Sequence, residues 1–324
     1  MKPRYLRSLA ALAAAAFFGP TPALADISPH ELTRPADNLG LGPGYGRRDL
    51  QFHLDVGTYF GSIQDDAGFS EDRFGLSPRL RVMQPVGFNE VELSWGFIWL
   101  DATGDAGDAQ TFQLGNVYAA HYWVWRTLAR QIRLGIGLGA PTAILRDEQP
   151  RQTVIDNEAL ITAAGMRSGR EYWLWTPETG SAVGHFDFYQ RWPFGLVLGG
   201  QLSLAALYGF DDSASTALLG LEGFNLLGQV DLDIAFDTER VRSMLRASYV
   251  VVPLNEGEFG WLAQDEIDQI GVELEFRIRF GRADVVLRMD VPIDAPFGFA
   301  FDDGGIWGAH IGVSSPTELR LPEE

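Results

Sequence analysis

The chain has 324 residues, of which 46% are hydrophobic and 12% aromatic, with no cysteine and a formal charge of -18. The acidic balance excludes nucleic acid as a partner, because phosphates are neutralised by Lys and Arg. It equally excludes docking on an anionic membrane face through a basic patch. Absence of cysteine removes disulfides and thiolate chemistry, and beyond the N-terminus no apolar run approaches the ~20 residues of a membrane helix.

In chain order, Lys2, Arg4 and Arg7 precede an apolar, alanine-rich run over 9–18, and Ala23-Leu24-Ala25 places small residues ahead of Asp26. That order predicts a secretory signal peptide over 1–25. The apolar run is too short for a membrane anchor. Its removal would take the charge from -18 to -21. Residues 26–49 carry Gly40-Leu41-Gly42-Pro43-Gly44-Tyr45-Gly46 and read as a periplasmic lead-in. No strand before them and no helix after them supports a phosphate-binding loop.

From residue 50 onward the dominant signal is strict alternation. Leu50, Phe52, Leu54, Val56 and Phe60 alternate with Gln51, His53, Asp55 and Tyr59. Phe74, Leu76, Leu80 and Val82 alternate with Arg73, Arg79 and Arg81, and Val91, Leu93, Trp95, Phe97 and Trp99 with Glu90, Glu92 and Ser94. Between 112 and 125 the pattern is mixed, with aromatics on both faces. It resumes at Ile132, Leu134, Ile136 and Leu138, then in an apolar, glycine-spaced stretch over 194–208. Val230, Leu232, Ile234 and Phe236 alternate with Gln229, Asp231 and Asp233. The clearest case sets Ile270, Val272, Leu274, Phe276, Ile278 and Phe280 against Gln269, Glu273, Glu275, Arg277 and Arg279. Val285, Leu287, Met289 and Val291 follow, and 305–313 reads as the last strand. Successive strand side chains point to opposite faces, so each segment has one greasy and one charged side.

Short connections near 84–88, 126–130, 192–194, 238–240 and 281–282 alternate with long ones near 61–72, 101–110, 142–181, 209–227, 254–266 and 293–304. Together these predict an all-β fold: a transmembrane antiparallel up-and-down barrel of about twelve strands over 50–314, with short periplasmic turns and long extracellular loops. Residues 315–324 form a tail. A soluble sandwich would alternate too, but it would not produce the short and long loop rhythm. Trp125, Trp192, Phe194, Phe236 and Phe280 beside short turns, and Phe60, Phe74, Trp99, Phe112, Tyr208 and Trp307 beside long loops, fit two aromatic belts.

Charge patterning predicts a lumen of paired ions, since buried charges need partners. Tight turns set Arg279 opposite Asp284, Glu275 opposite Arg288, Asp237 opposite Arg242 and Asp233 opposite Arg246. A slightly wider turn at 84–87 sets Arg81 opposite Glu90 and Arg79 opposite Glu92. The longest loop has helix-forming composition over 154–166 behind candidate Asp/Asn caps; Asp156, Glu158, Leu160 and Ile161 are candidates for a constriction at the barrel mouth. Acidic loop clusters (Asp65, Asp66, Glu71 and Asp72; Asp101, Asp105 and Asp108; Glu256, Glu258, Asp265 and Glu266) read as a solvated rim, with a divalent cation as the alternative.

Catalytic signals are weak. There is no nucleophile elbow, and the five histidines form no zinc motif. His53, His121, His185 and His310 fall on faces expected to turn inward. No catalytic residue, metal or cofactor is expected.

The stretch Leu114-Gly115-Asn116-Val117-Tyr118 through Trp125-Arg126, followed by Ile132-Arg133-Leu134-Gly135-Ile136-Gly137-Leu138-Gly139-Ala140-Pro141-Thr142, resembles a hairpin of the outer-membrane transporter family associated with phenol degradation. Ala143 replaces the glycine that ends that family's Pro-Thr-Gly. The resemblance implies passage of small, partly apolar organic molecules. The chain ends Pro322-Glu323-Glu324 where many outer-membrane barrels end in Phe, so an assembly signal is expected to be internal, around 307–313.

The leading expectation is therefore an exported outer-membrane channel or passive transporter. Its expected partners are membrane lipid and lipopolysaccharide, the barrel-assembly machinery and a small solute. A surface-binding barrel with a charge-plugged lumen is second, and a lipid-acting barrel enzyme third.

Overall fold

A chain that is apolar on every second residue over many segments can satisfy both faces in a membrane if the strands curl until the charged face meets itself. The computed structural model describes residues 50–64, 70–86, 89–105, 107–126, 129–145, 150–192, 194–210, 223–238, 240–255, 268–280, 283–294 and 305–314. The expected signal peptide, lead-in and tail lie outside these residues, as do Asp65, Asp66, Glu256, Glu258, Asp265 and Glu266.

Among the described residues, thirteen strands are formed. They are β1 (Gln51–Gln64), β2 (Ser70–Val86), β3 (Asn89–Gly104), β4 (Ala109–Leu114), β5 (Val117–Arg126), β6 (Arg130–Ala140), β7 (Thr179–Arg191), β8 (Leu196–Gly209), β9 (Gly223–Asp237), β10 (Val241–Asn255), β11 (Asp268–Phe280), β12 (Ala283–Pro292) and β13 (Gly308–Ser314). Every pairing is antiparallel and β1 pairs with β13, so the sheet closes. β4 and β5 share one partner, β3, and are separated by Gly115 and Asn116. They make one stave, and the barrel has twelve. Closure leaves no unpaired edge, which hydrocarbon would not tolerate.

The outer surface is apolar. Ile136, Leu138, Ile234, Phe276 and Ile311 are each at least half exposed, and their inward neighbours on the same strands are buried. An apolar band of this extent exceeds what a water-facing surface carries and matches lipid contact. Trp125, Phe194, Phe236 and Phe280 are exposed at the short-turn end, and Phe60, Phe112 and Tyr208 at the other. Trp307 departs from the expected belt, packing on an interior cluster.

β1, β2 and β3 run 14, 17 and 16 residues, longer than the ~9–11 that cross a bilayer. Their extra length absorbs residues expected in loops, so the first two long connections shrink to 65–69 and 105–108.

One expected register is wrong. Val86 pairs with Asn89, and Arg81 faces Ser94 while Arg79 faces Gly96, not Glu90 and Glu92. The turn is tight and the offset is four residues. An even slip preserves every inward and outward assignment, so alternation could not detect it. His121 is a second correction: it lies on the outer face, its ring 4.9 Å from that of Trp123. Its segment breaks at Gly115-Asn116, which shifts the period there.

Candidate functional site

Residues 150–178 pack against inward-facing residues of the wall. Helix α1 (Pro150–Gly165) packs on the inner side of β2, β3 and β4, and the chain then turns back through 166–178 across the lumen. Pro150 starts the helix, a position where its missing N–H costs nothing. Asp156 and Asn157 are therefore inside the helix and are not caps. Asp156 is fully buried, accepting from Gln152 at 2.7 Å and from Thr111. Glu158 meets Arg73 at 3.0 Å, while Leu160 and Ile161 join the interior cluster.

The stretch after α1 makes the deeper contacts. Ser168 and Glu171 have positive φ of 53° and 54°, a region that non-glycine residues rarely occupy and that clusters at functional sites. The turns aim Arg167, Arg170 and Glu171 at different walls. Arg167 donates to the Ser77 hydroxyl and carbonyl at 3.1 and 3.2 Å and lies 3.4 Å from Asp55. Arg170 bridges Glu273 and Asp290. Glu171 pairs with Arg79 and, at 2.6 Å, with Arg81. Burial opposes ionisation of Glu171, but Arg79 and Arg81 outweigh it and hold the carboxyl well below its ordinary value. Burial lowers Arg167 to about 10 against the pull of Asp55, so it stays cationic at neutral pH. The segment thus reaches β1, β2, β11 and β12, one continuous arc of the wall, and the Glu171 amide donates to Gln229 on β9 at 2.9 Å, across the lumen from β2.

Two irregularities in the wall receive it. The β2–β3 ladder is interrupted at Ser77-Pro78, where proline has no N–H to give, and Arg167 takes the Ser77 carbonyl. The second is the break at Asn116. Its Nδ2 donates to the carbonyls of Trp173 and Thr176 at 3.0 and 2.6 Å, and its Oδ1 accepts from the amides of Thr142 and Ala143, both at 3.0 Å. Glycine leaves room for the plug at two points: a Cβ at Gly96 would lie 3.0 Å or less from two ring carbons of Trp175, and one at Gly57 would meet Met166 at 2.9 Å.

Between this plug and the short-turn end lies a cavity of about 140 Å³, room for several waters. Arg79, Arg81, Glu92, Asp187, Arg246 and Glu273 are among its lining residues. The sequence-derived pairs sort as follows. Asp233 and Arg246 form a two-point ion pair at 2.5 and 2.9 Å. Arg279 faces Asp284 across the ladder but bonds Asp237 at 2.7 Å. Glu275 faces Arg288, yet Arg288 pairs with Asp55 and Asp290 at 2.8 and 2.9 Å. Arg81 meets Glu92 diagonally at 2.9 Å, and Glu90 lies 3.4 Å from Arg133. Asp237 and Arg242 are neighbours in register. His185 bonds Tyr118 and, at 2.9 Å, Ser203.

Sequence reasoning missed Arg167, Arg170, Glu171, Trp173 and Asn116. One signal was available: Arg167 to Trp175 is a charged and aromatic run inside a loop, and such groups seek buried partners.

No family model matches the sequence, and no curated protein matches it. In structure the chain is similar to an outer-membrane channel from Pseudomonas putida F1, with TM-score 0.56 at 9% identity, covering 85% of this chain and 98% of that one. The porin NanC gives 0.45 at 7% identity over 83% and 100%. The translocator domain of the autotransporter NalP from Neisseria meningitidis gives 0.44 at 12% over 95% and 97%. The first of these establishes the outer-membrane type of barrel as the fold.

Proposed function

We propose that this barrel resides in the outer membrane and passes small polar solutes through a lumen narrowed by its own folded-in segment 150–175. The observation that carries the reading is the polar cavity beneath a plug held by ion pairs and hydrogen bonds, inside a wall whose outer face suits lipid. Nearly every side chain reaching the cavity carries a charge or a polar atom, which favours polar solutes over the partly apolar ones implied by the phenol-degradation resemblance. Polar rings of this kind set what passes a narrow pore. Export through the 1–25 leader, delivery by the barrel-assembly machinery and contact with lipid and lipopolysaccharide complete the proposal.

The second reading, a closed barrel that binds through its loops, draws support from the bridging of Glu273 and Asp290 by Arg170. Liposome swelling with sugars, amino acids and aromatic acids, together with single-channel recording, separates the two. The wild type is expected to give small conductance, and deletion of 152–168 to raise it severalfold. Unchanged conductance in the deletion rejects a gating role, and absence of flux in both proteins favours the closed barrel.

A further inference from the structure

The lumen contains two arginines with buried donors that no acceptor of the chain meets. Arg242 and Arg277 are direct cross-strand neighbours on β10 and β11, both inward-facing and each 3% exposed. Like charges placed directly opposite repel unless something shares them. Arg277 reaches the Glu275 carboxylate with Nη2 at 3.3 Å, while its Nε and Nη1 have no acceptor. Arg242 donates through Nη2 to the Met244 sulfur at 3.4 Å, a weak acceptor, and its Nε has none. The carboxylate opposite Arg242 on β9, Asp237, accepts from Arg279 through Oδ1 at 2.7 Å, has Arg191 3.9 Å from its Oδ2, and makes no hydrogen bond to Arg242.

A third donor stands beside them. Arg277 is opposite Val286 on β12. The His53 ring lies over Gly312, 3.5 Å from where a Cβ there would sit, and the Val286 side chain is at the same distance from that point. His53 Nδ1 is buried without a partner. His53, Arg242 and Arg277 all line the cavity described above, which opens between them and the plug. Buried ionised donors without acceptors are costly. Their arrangement calls for an acceptor from outside the chain, one with several oxygens to meet the fork geometry of guanidinium.

We infer that Arg242, Arg277 and His53 form a binding site for a small oxyanion, a carboxylate or phosphate group carried by a solute of a few heavy atoms. Arg277 presents Nε and Nη1 to the anion, Arg242 presents Nε, and His53 closes the third side through Nδ1–H. Placing the site on a solute route rests on the channel reading. Binding itself does not.

The test is calorimetric titration of the full-length protein in detergent at low ionic strength, with inorganic phosphate in one arm and acetate in the other. Saturable one-site binding of either anion is expected, and the stronger arm identifies the group. Folding of the variants is checked by heat-modifiable migration. Arg242→Gln and Arg277→Gln are each expected to weaken binding by about tenfold or more, as loss of charge-assisted donors implies. A flat titration of the wild type in both arms overturns the site, as does unaltered affinity in a folded Arg242→Gln/Arg277→Gln double variant. Bilayer recording of the same samples keeps the two claims apart. Saturable binding without conductance would sink the channel and leave the site standing, whereas conductance with a flat titration would do the reverse.

Discussion

Asn116 sits where one stave breaks, and its amide holds both ends of the long loop at once, Thr142 and Ala143 on one side and Trp173 and Thr176 on the other. Asn116→Ala leaves those backbone groups buried and unmet, at a cost of about 1–3 kcal/mol. Faster proteolysis within 141–178 and larger single-channel currents are the expected readouts. Glu171 supplies a pH dependence whose sign is fixed by its depressed carboxyl. Its contribution is fully present above the ordinary value of 4.5 and is lost as pH falls through the lower folded value. Conductance measured from pH 7 to pH 5 is therefore expected to show no opening through Glu171. Opening belongs to stronger acid, and a Glu171→Gln variant is expected to be open across the whole range.

The segment 150–178 is a polar plug as much as a helix. α1 grips the wall by Leu160, Ala163 and Ala164, and the stretch after it grips by charge. Arg79 and Arg81 both bind Glu171, so Arg79→Ala/Arg81→Ala strands a partly buried carboxylate, a change expected to cost less than the ~3–5 kcal/mol of breaking a fully buried pair. The strands have many other contacts, so the loss is expected to fall on plug attachment. Hydrogen exchange should quicken over 166–175 and stay unchanged in β11 and β12. Equal acceleration in the strands would show that plug and wall are one cooperative unit. The helix was legible from composition over 154–166, but its start was not. Pro150 opens it four residues earlier, and the caps assigned to Asp156 and Asn157 gave way to burial against Thr111.

At the scale of the whole molecule, the closed sheet makes the outer face a single apolar surface. Leu274 lies midway along β11 and is 45% exposed. Leu274→Arg puts a charge near the bilayer centre and is expected to destabilise the barrel by about 2–4 kcal/mol, read by guanidinium titration in lipid vesicles. Arginine is native on the inner face: Arg246, partly buried, is met there by the carboxylates of Asp233 and Glu273 instead of by acyl chains. Every cation after Lys2 is arginine, which keeps its charge when buried and meets carboxylates two-pronged.

What the sequence by itself determined, outside the mixed 112–125 stretch where His121 was misplaced, is which side chains face lipid and which face each other, because strand alternation is local and survives any even shift of register. Hence Arg279 and Asp284 were placed as neighbours, while Arg81 was set four residues away from its true partner. Only the tertiary structure decided between a loop that caps the mouth and one that enters it, since the partners of 150–178, Arg79 for Glu171 and Asp290 for Arg170, lie 92 and 120 residues away along the chain. Ion pairing across a closed lumen depends on distance in space, which a linear pattern of residues does not encode.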